Sequence, residues 1–233
     1  MKAMLLAAGR GERLRPLTDH RPKPLLEVGG KPLIVWQLEN LRRAGVTEVV
    51  VNLAWLGEQI PAALGDGSRW GLAIHYSREP VAALETAGGI RQALERLGDA
   101  PFILANADVW TRFDFTRLPR VPAGLAHLVL VPNPVHHPQG DFALDDGRVN
   151  DHGEPRYTYA GIAVFRPSLF APLAPGTRAP LAPLLRAAMA EGAVSGELFT
   201  GSWIDVGTPD RLEAADRAAY AVDRPHAAED GNI

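Results

Sequence analysis

The sequence predicts an α/β fold with a central mixed, mostly parallel sheet flanked by helices, and three observations carry that expectation. An uninterrupted apolar run from Lys2 to Ala8 ends at Gly9, the pattern of a strand buried on both faces. Extended and helical signals then alternate through the first half of the chain, as in successive βαβ units. The 233 residues, 46% apolar and 22% charged, fall in the range of one large α/β domain. That domain is expected over residues 1–222, and the polar stretch 223–233 is expected to form a disordered tail because it has little to bury.

Each element has its own justification. Lys31 to Ala44 reads as a helix, with Pro32 suited to the first helical position, Ile34, Leu38 and Leu41 on one face, and Gly45 placed to stop it. Val49 to Leu53 reads as the next strand. Trp55 to Leu64 reads as a short helix, Leu72 to Tyr76 as a strand, Gly89 to Leu97 as a helix and Phe102 to Ala107 as a strand. Beyond Trp110 the segments shorten and carry more Pro and Gly. Leu125–Val131, Asp141–Leu144 and Tyr157–Phe165 therefore read as mixed or antiparallel additions to the same sheet. Helices are expected over Leu181–Glu191 and Pro209–Ala221.

Composition removes whole classes of chemistry. With no cysteine there is no disulfide framework, Cys-ligated metal or thiol nucleophile. No apolar stretch approaches the roughly 18 residues of a membrane helix, and the run after Lys2 breaks too early for a secretory leader, so a cytoplasmic protein with no membrane partner is expected. A net charge of −3 argues against nucleic acid as partner. The charge is unevenly spread: residues 1–31 carry Lys2, Arg10, Arg13, Arg15, Arg21, Lys23 and Lys31 against Glu12, Asp19 and Glu27.

The densest signal lies where the first strand ends, in Gly9-Arg10-Gly11-Glu12-Arg13-Leu14-Arg15-Pro16-Leu17-Thr18 followed by Pro22-Lys23-Pro24. Glycines just past a parallel strand let backbone N–H groups approach a phosphate, and the cations add charge. Leu14 stands where a dinucleotide fingerprint needs its third glycine, and no GxxxxGK[ST] string occurs, so neither a dinucleotide-binding nor a P-loop reading fits. The adjacent pair His136-His137 lacks the spacing of a common zinc site and reads as a polar loop, and Ser195 has no nucleophile-elbow context.

The run Leu6 to Leu25 resembles the signature of the sugar-1-phosphate nucleotidyltransferases. The resemblance continues through Leu84-Glu85-Thr86-Ala87-Gly88-Gly89, Asn106-Ala107-Asp108 and Trp203-Ile204-Asp205-Val206-Gly207-Thr208-Pro209. It departs at Ala107, where a glycine is usual, and at Glu154-Pro155, where a Glu-Lys-Pro element of many relatives lacks its lysine. What the resemblance implies is a Rossmann-like nucleotidyltransferase domain that joins a nucleoside triphosphate to a sugar 1-phosphate with release of pyrophosphate. Finer features around Asn52 to Gly57 and Asn133 to Phe142 resemble the branch that carries a uridylyl group from UTP to N-acetylmuramate 1-phosphate in cell-wall recycling. Mannose or glucose 1-phosphate with GTP, dTTP or UTP is the alternative within the class, and a non-catalytic nucleotide-sugar sensor the alternative outside it.

By the same resemblance Arg13 and Lys23 are the catalytic cations. The nucleotide is expected to meet Ala8, Gly9, Gly11, Glu12, Arg13, Lys23, Gly88 and Asn106, with Gly88 taken as part of a loop that reads the base. Asp108 and Gly140 are expected to meet the sugar substrate, and Asp108 and Asp205 to hold Mg²⁺, a cation that accepts one or two carboxylates plus phosphate oxygens and waters. The partners implied are UTP and a sugar 1-phosphate, for a monomer or small homo-oligomer.

Overall fold

A computed structural model of the chain describes residues 1–80 and 84–221, so the tail expected at 223–233 lies outside the described residues. In chain order the strands are β1 (Lys2–Leu6), β2 (Glu27–Val28), β3 (Lys31–Pro32), β4 (Glu48–Leu53), β5 (Ala73–Arg78), β6 (Phe102–Asn106), β7 (Val109–Thr111), β8 (Ala126–Val131), β9 (Phe142–Asp145), β10 (Arg148–Asn150), β11 (Arg156–Phe165), β12 (Val194–Leu198) and β13 (Trp203–Asp205). The α-helices are α1 (Leu17–His20), α2 (Leu33–Arg43), α3 (Gln59–Leu64), α4 (Glu85–Leu97), α5 (Leu181–Ala190) and α6 (Pro209–Tyr220).

Nine strands form one sheet in the order β5-β4-β1-β6-β11-β8-β12-β10-β9. All run in one direction except β10 and β11, which gives the expected mixed and mostly parallel sheet. β9 also pairs β11, so the last five strands close on themselves. The apolar run that predicts β1 is explained by its place: it has parallel neighbours on both edges and helices over both faces. Ala3 and Leu5 pack with Ile34, Leu38 and Leu41 of α2 and Ile60 of α3. Met4 packs with Ala87, Ile90 and Ala93 of α4, and the same cluster takes in Leu185 and Met189 of α5. Alternation of side chains along a strand divides the core into these two layers.

A third, smaller cluster positions the site. Leu14, just after the glycine turn, is buried with Val28, Leu33, Trp110, Val206 and the α6 residues Ala215 and Ala219. It ties the amino-terminal loop to the last helix, and the Gly29 N–H donates to Asp216 Oδ1 at 2.8 Å.

Several local expectations are corrected. Lys31 and Pro32 form a short strand with β2, and Pro32 stands just before α2 with ψ of 142°, not within its first turn. Trp55 to Glu58 is a turn, with Leu56 at φ +50°, and the helix starts only at Gln59. The helix expected from Gly89 begins four residues earlier, at Glu85, and absorbs the supposed base-reading loop.

Candidate active site

A cleft of about 240 Å³ opens at the carboxyl ends of β1, β4 and β6, where open α/β sheets place their ligands. It is lined by the strand end Leu6 to Gly9, by Lys23 and Pro24, by Asn52 and Glu79, and by Glu85, Thr86, Asn106 and Asp108. Of the residues expected to bind nucleotide, sugar or metal, Ala8, Gly9, Lys23, Asn106 and Asp108 line this cleft.

Lys23 reaches the cleft through the turn that follows α1, and within α1 the Thr18 hydroxyl donates to the Gly11 carbonyl at 2.8 Å and fixes the glycine loop. Its ammonium is ion-paired with Asp108 Oδ2, and the two side chains are 12% and 32% exposed. Asp108 sits between β6 and β7. Asn106 fits beneath because β11 carries a bulge between Tyr159 and Ala163, with Gly161 at φ +71°: a methyl group there would lie 2.7 Å from Asn106 Cγ.

Asp205 is brought to Asp108 by a two-stranded ribbon. β13 pairs antiparallel with β7, Asp205 opposite Val109, and the Val206 N–H donates to the Asp108 carbonyl at 2.9 Å. The two aspartates therefore lie side by side in the fold, Asp108 directly before β7 and Asp205 at the end of β13, although 97 positions separate them in sequence. Asp205 Oδ1 lies 3.2 Å from His136 Nε2 and 3.2 Å from Arg211 Nη1. Among the described residues no group of three or more His, Asp or Glu side chains is arranged to hold a metal ion. A cation held by this pair would need non-protein oxygens to complete its shell, a demand phosphate and water meet.

Arg13 and Gly11 stand beside the cleft, not in its lining. Arg13 is exposed in the short helical turn Glu12–Leu14 and forms no ion pair among the described residues. Glu12 faces solvent, 3.8 Å from Arg10, whose guanidinium lies over the Trp55 ring at 4.4 Å.

Two of the residues expected to meet ligand have internal partners in the structure. Gly88 belongs to the first turn of α4, and its N–H donates to the Ala179 carbonyl at 3.1 Å. Its missing side chain serves internal packing, since a methyl group at Gly88 would strike the Thr177 carbonyl and one at Gly89 the Glu79 carboxylate. The glycine pair lets α4 lie directly against both. The Gly140 N–H, expected to meet the sugar, donates to the His137 carbonyl at 3.3 Å.

The structure adds residues that sequence reasoning left out. Asn52 is buried, its Oδ1 accepting from the Ala7 N–H at 2.7 Å and its Nδ2 donating to Glu79 Oε1 at 2.6 Å. Glu79 Oε2 accepts from the Leu84 N–H at 2.9 Å. This chain of bonds holds the strand ends around the cleft at fixed separation. A lone polar residue near the end of an otherwise apolar strand is the signal that could have drawn attention to Asn52. The His136-His137 pair is likewise more than a polar loop: His136 meets Asp205, and His137 Nε2 lies 3.1 Å from Asp141 Oδ1. Asp141 in turn accepts from the Tyr159 N–H at 2.8 Å. Burial, and secondarily the Asp141 charge, pushes the Tyr159 phenol well above its ordinary pKa.

Residues 2–140 match the model of the nucleotidyl transferase family. The chain belongs to that family. This nucleotidyltransferase is 52% identical to a Neisseria meningitidis protein named N-acetylmuramate alpha-1-phosphate uridylyltransferase, over 95% of the chain and 99% of the relative. It is 37% identical to a Caulobacter vibrioides protein of the same name, over 94% and 97%. Among solved structures, a Bacillus anthracis protein described as a glucose-1-phosphate thymidylyltransferase superimposes with a TM-score of 0.83 at 22% identity, covering 97% of each chain. That likeness establishes the shared Rossmann-like nucleotidyltransferase fold. Among the described residues, no helix of this nucleotidyltransferase is long and apolar enough to cross a membrane.

Proposed function

We propose that this nucleotidyltransferase carries a uridylyl group from UTP to N-acetylmuramate 1-phosphate, giving UDP-N-acetylmuramate and pyrophosphate, as a cytoplasmic step of peptidoglycan recycling. The observation that carries the reading is the near full-length identity to the Neisseria relative, together with a cleft in which Lys23, Asn106 and Asp108 stand at one sheet edge.

The reaction brings two polyanions together and releases a third, so catalysis rests on positioning and charge stabilisation and needs no protein nucleophile. Lys23 supplies a compact cation inside the cleft for the α-phosphate or the incoming phosphate, once its bond to Asp108 opens. Arg13, exposed and unpaired among the described residues, offers a planar fork to the β- and γ-phosphates. The backbone of Ala8 and Gly9 gives close approach to phosphate, and Asn106 a donor and acceptor for the nucleoside.

Asp108 and Asp205 fit a hard divalent cation: both are carboxylates, Asp108 directly precedes the strand that pairs with the one ending in Asp205, and among the described residues no ion pair or hydrogen bond involves Asp205 Oδ2. Mg²⁺ held there would neutralise charge building on the triphosphate.

The test is pyrophosphate release with UTP, GTP, dTTP, ATP and CTP, each against N-acetylmuramate, N-acetylglucosamine, mannose and glucose 1-phosphates. The highest kcat/KM is expected for UTP with N-acetylmuramate 1-phosphate. A higher value for GTP with mannose 1-phosphate would reject the substrate assignment and keep the reaction class. No turnover with any pair would reject catalysis altogether.

A further inference from the structure

Each of the two aspartates is held by one oxygen only. Asp108 is paired with Lys23 through Oδ2. On Asp205, Arg211 Nη1 and His136 Nε2 both approach Oδ1, each at 3.2 Å, and no ion pair or hydrogen bond involves Oδ2 among the described residues. A carboxylate fastened at one oxygen cannot turn freely, and the other oxygen keeps a set direction.

The geometry points to Arg211 as the positioning residue that fixes Asp205, with His136 closing on the same oxygen from the loop after β8, so that Oδ2 is left to meet a divalent cation. The inference deepens the proposed function and rests on its metal reading. Arg211 is placed for the task by α6, whose first turn is capped by the Thr208 hydroxyl accepting from the Arg211 N–H at 3.4 Å. Its side chain is only 16% exposed, and its Nε and Nη2 are buried without a hydrogen-bond partner. Leaving two donors of a buried cation unpaired is unfavourable, so packing alone gives no reason for an arginine here.

Gly207 makes the arrangement possible. A methyl group at this position would collide with Arg211 Nη2, lie 3.2 Å from Arg211 Cζ and reach within 2.9 Å of Arg13 Nη2. Two guanidinium groups thus crowd the same glycine, beside the carboxylate whose charge offsets theirs. A group that orients a metal-binding carboxylate typically alters metal affinity about 10- to 100-fold when removed. The opposite outcome is physically available. If Arg211 acted only as a nearby positive charge, its loss would tighten cation binding.

The experiment is Mn²⁺ binding to the UTP-loaded protein without sugar phosphate, followed by water proton relaxation enhancement. Arg211→Met is expected to weaken Mn²⁺ binding at least about tenfold, with metal-free UTP affinity and thermal midpoint close to wild type, and Arg211→Lys to recover part of the loss. Gly207→Ala, which keeps the arginine but displaces it, is expected to weaken binding in the same direction, and it stands in if Arg211→Met does not fold. Unchanged or tighter Mn²⁺ binding in these variants overturns the proposal. Asp205→Asn separates the two failures. If it weakens Mn²⁺ while the Arg211 and Gly207 variants do not, the positioning role alone falls. If it has no effect either, the metal reading falls with it.

Discussion

Replacing Asp108 with asparagine removes one negative charge while keeping shape, and its effects on stability and on catalysis can be estimated separately. In the free protein Asp108 is paired with Lys23, whose side chain is 12% exposed against 32% for Asp108. Breaking a fully buried pair from one side costs about 3–5 kcal/mol, and an exposed pair contributes about 0.2–1 kcal/mol. Asp108 is close to one third exposed, and asparagine still offers an oxygen to the ammonium, so a loss of about 1 kcal/mol is expected. For a chain of this length that lowers Tm by about 2–4 °C. Catalysis should suffer more, because the carboxylate stands where charge must be balanced during transfer. Loss of such a group lowers kcat about 100-fold, or about 2.7 kcal/mol of transition-state stabilisation. Steady-state pyrophosphate release and a thermal melt on the same preparation check both numbers. A kcat within threefold of wild type would refute the role of Asp108. A collapse of Tm by more than about 10 °C would show that the fold, not the chemistry, depends on the pair.

Two further predictions concern groups outside the proposed chemistry. Asn52→Leu leaves the buried Ala7 N–H without a partner and strips one bond from the half-buried Glu79, which costs about 2 kcal/mol. Its thermal midpoint is expected about 4–8 °C below wild type, and an unchanged midpoint would show that water or rearrangement replaces the lost bonds. His127 is half-buried beside Ser195 and Glu197, and desolvation outweighs Glu197 in holding its pKa below 6.5. The unfolded chain therefore takes up this proton at higher pH than the native state, so stability is lost as pH falls below about 6.5 and stops falling once the native His127 protonates. Urea unfolding across this range is expected to show a shallower pH slope for His127→Gln than for wild type. An identical slope would remove His127 as its source.

How far the fold was legible follows from which interactions each segment satisfies locally. β1, α2 and α4 announce themselves because burial on both faces or one face imposes a period that the sequence must keep. The two-residue strands β2 and β3 and the three-residue strands β7, β10 and β13 are too short to establish any period, and β7 and β13 find each other only across more than 90 residues. The start of α4 was misplaced for a related reason. Two consecutive glycines disfavour helix by intrinsic propensity, but here the alternative to glycine is a clash with Thr177 and Glu79, and tertiary packing decides.

The site divides along the same line. Asn106 and Asp108 lie at or just past the end of β6, and a strand end in a parallel sheet has a known relation to the ligand side, so their placement was readable from order along the chain, whereas Lys23 arrives on a turn and was nominated by charge and resemblance. Asp205 was readable only through resemblance to the family, because nothing between residues 109 and 204 states that β13 returns to β7. What no sequence pattern conveys is which oxygen of a carboxylate is engaged. That depends on Arg211, His136 and Lys23 arriving from a helix, a loop and a turn that share no local signal. Residue identity can thus nominate two acids for a cation, but the partners of their oxygens, Lys23 on Asp108 and Arg211 and His136 on Asp205, are visible only in the fold.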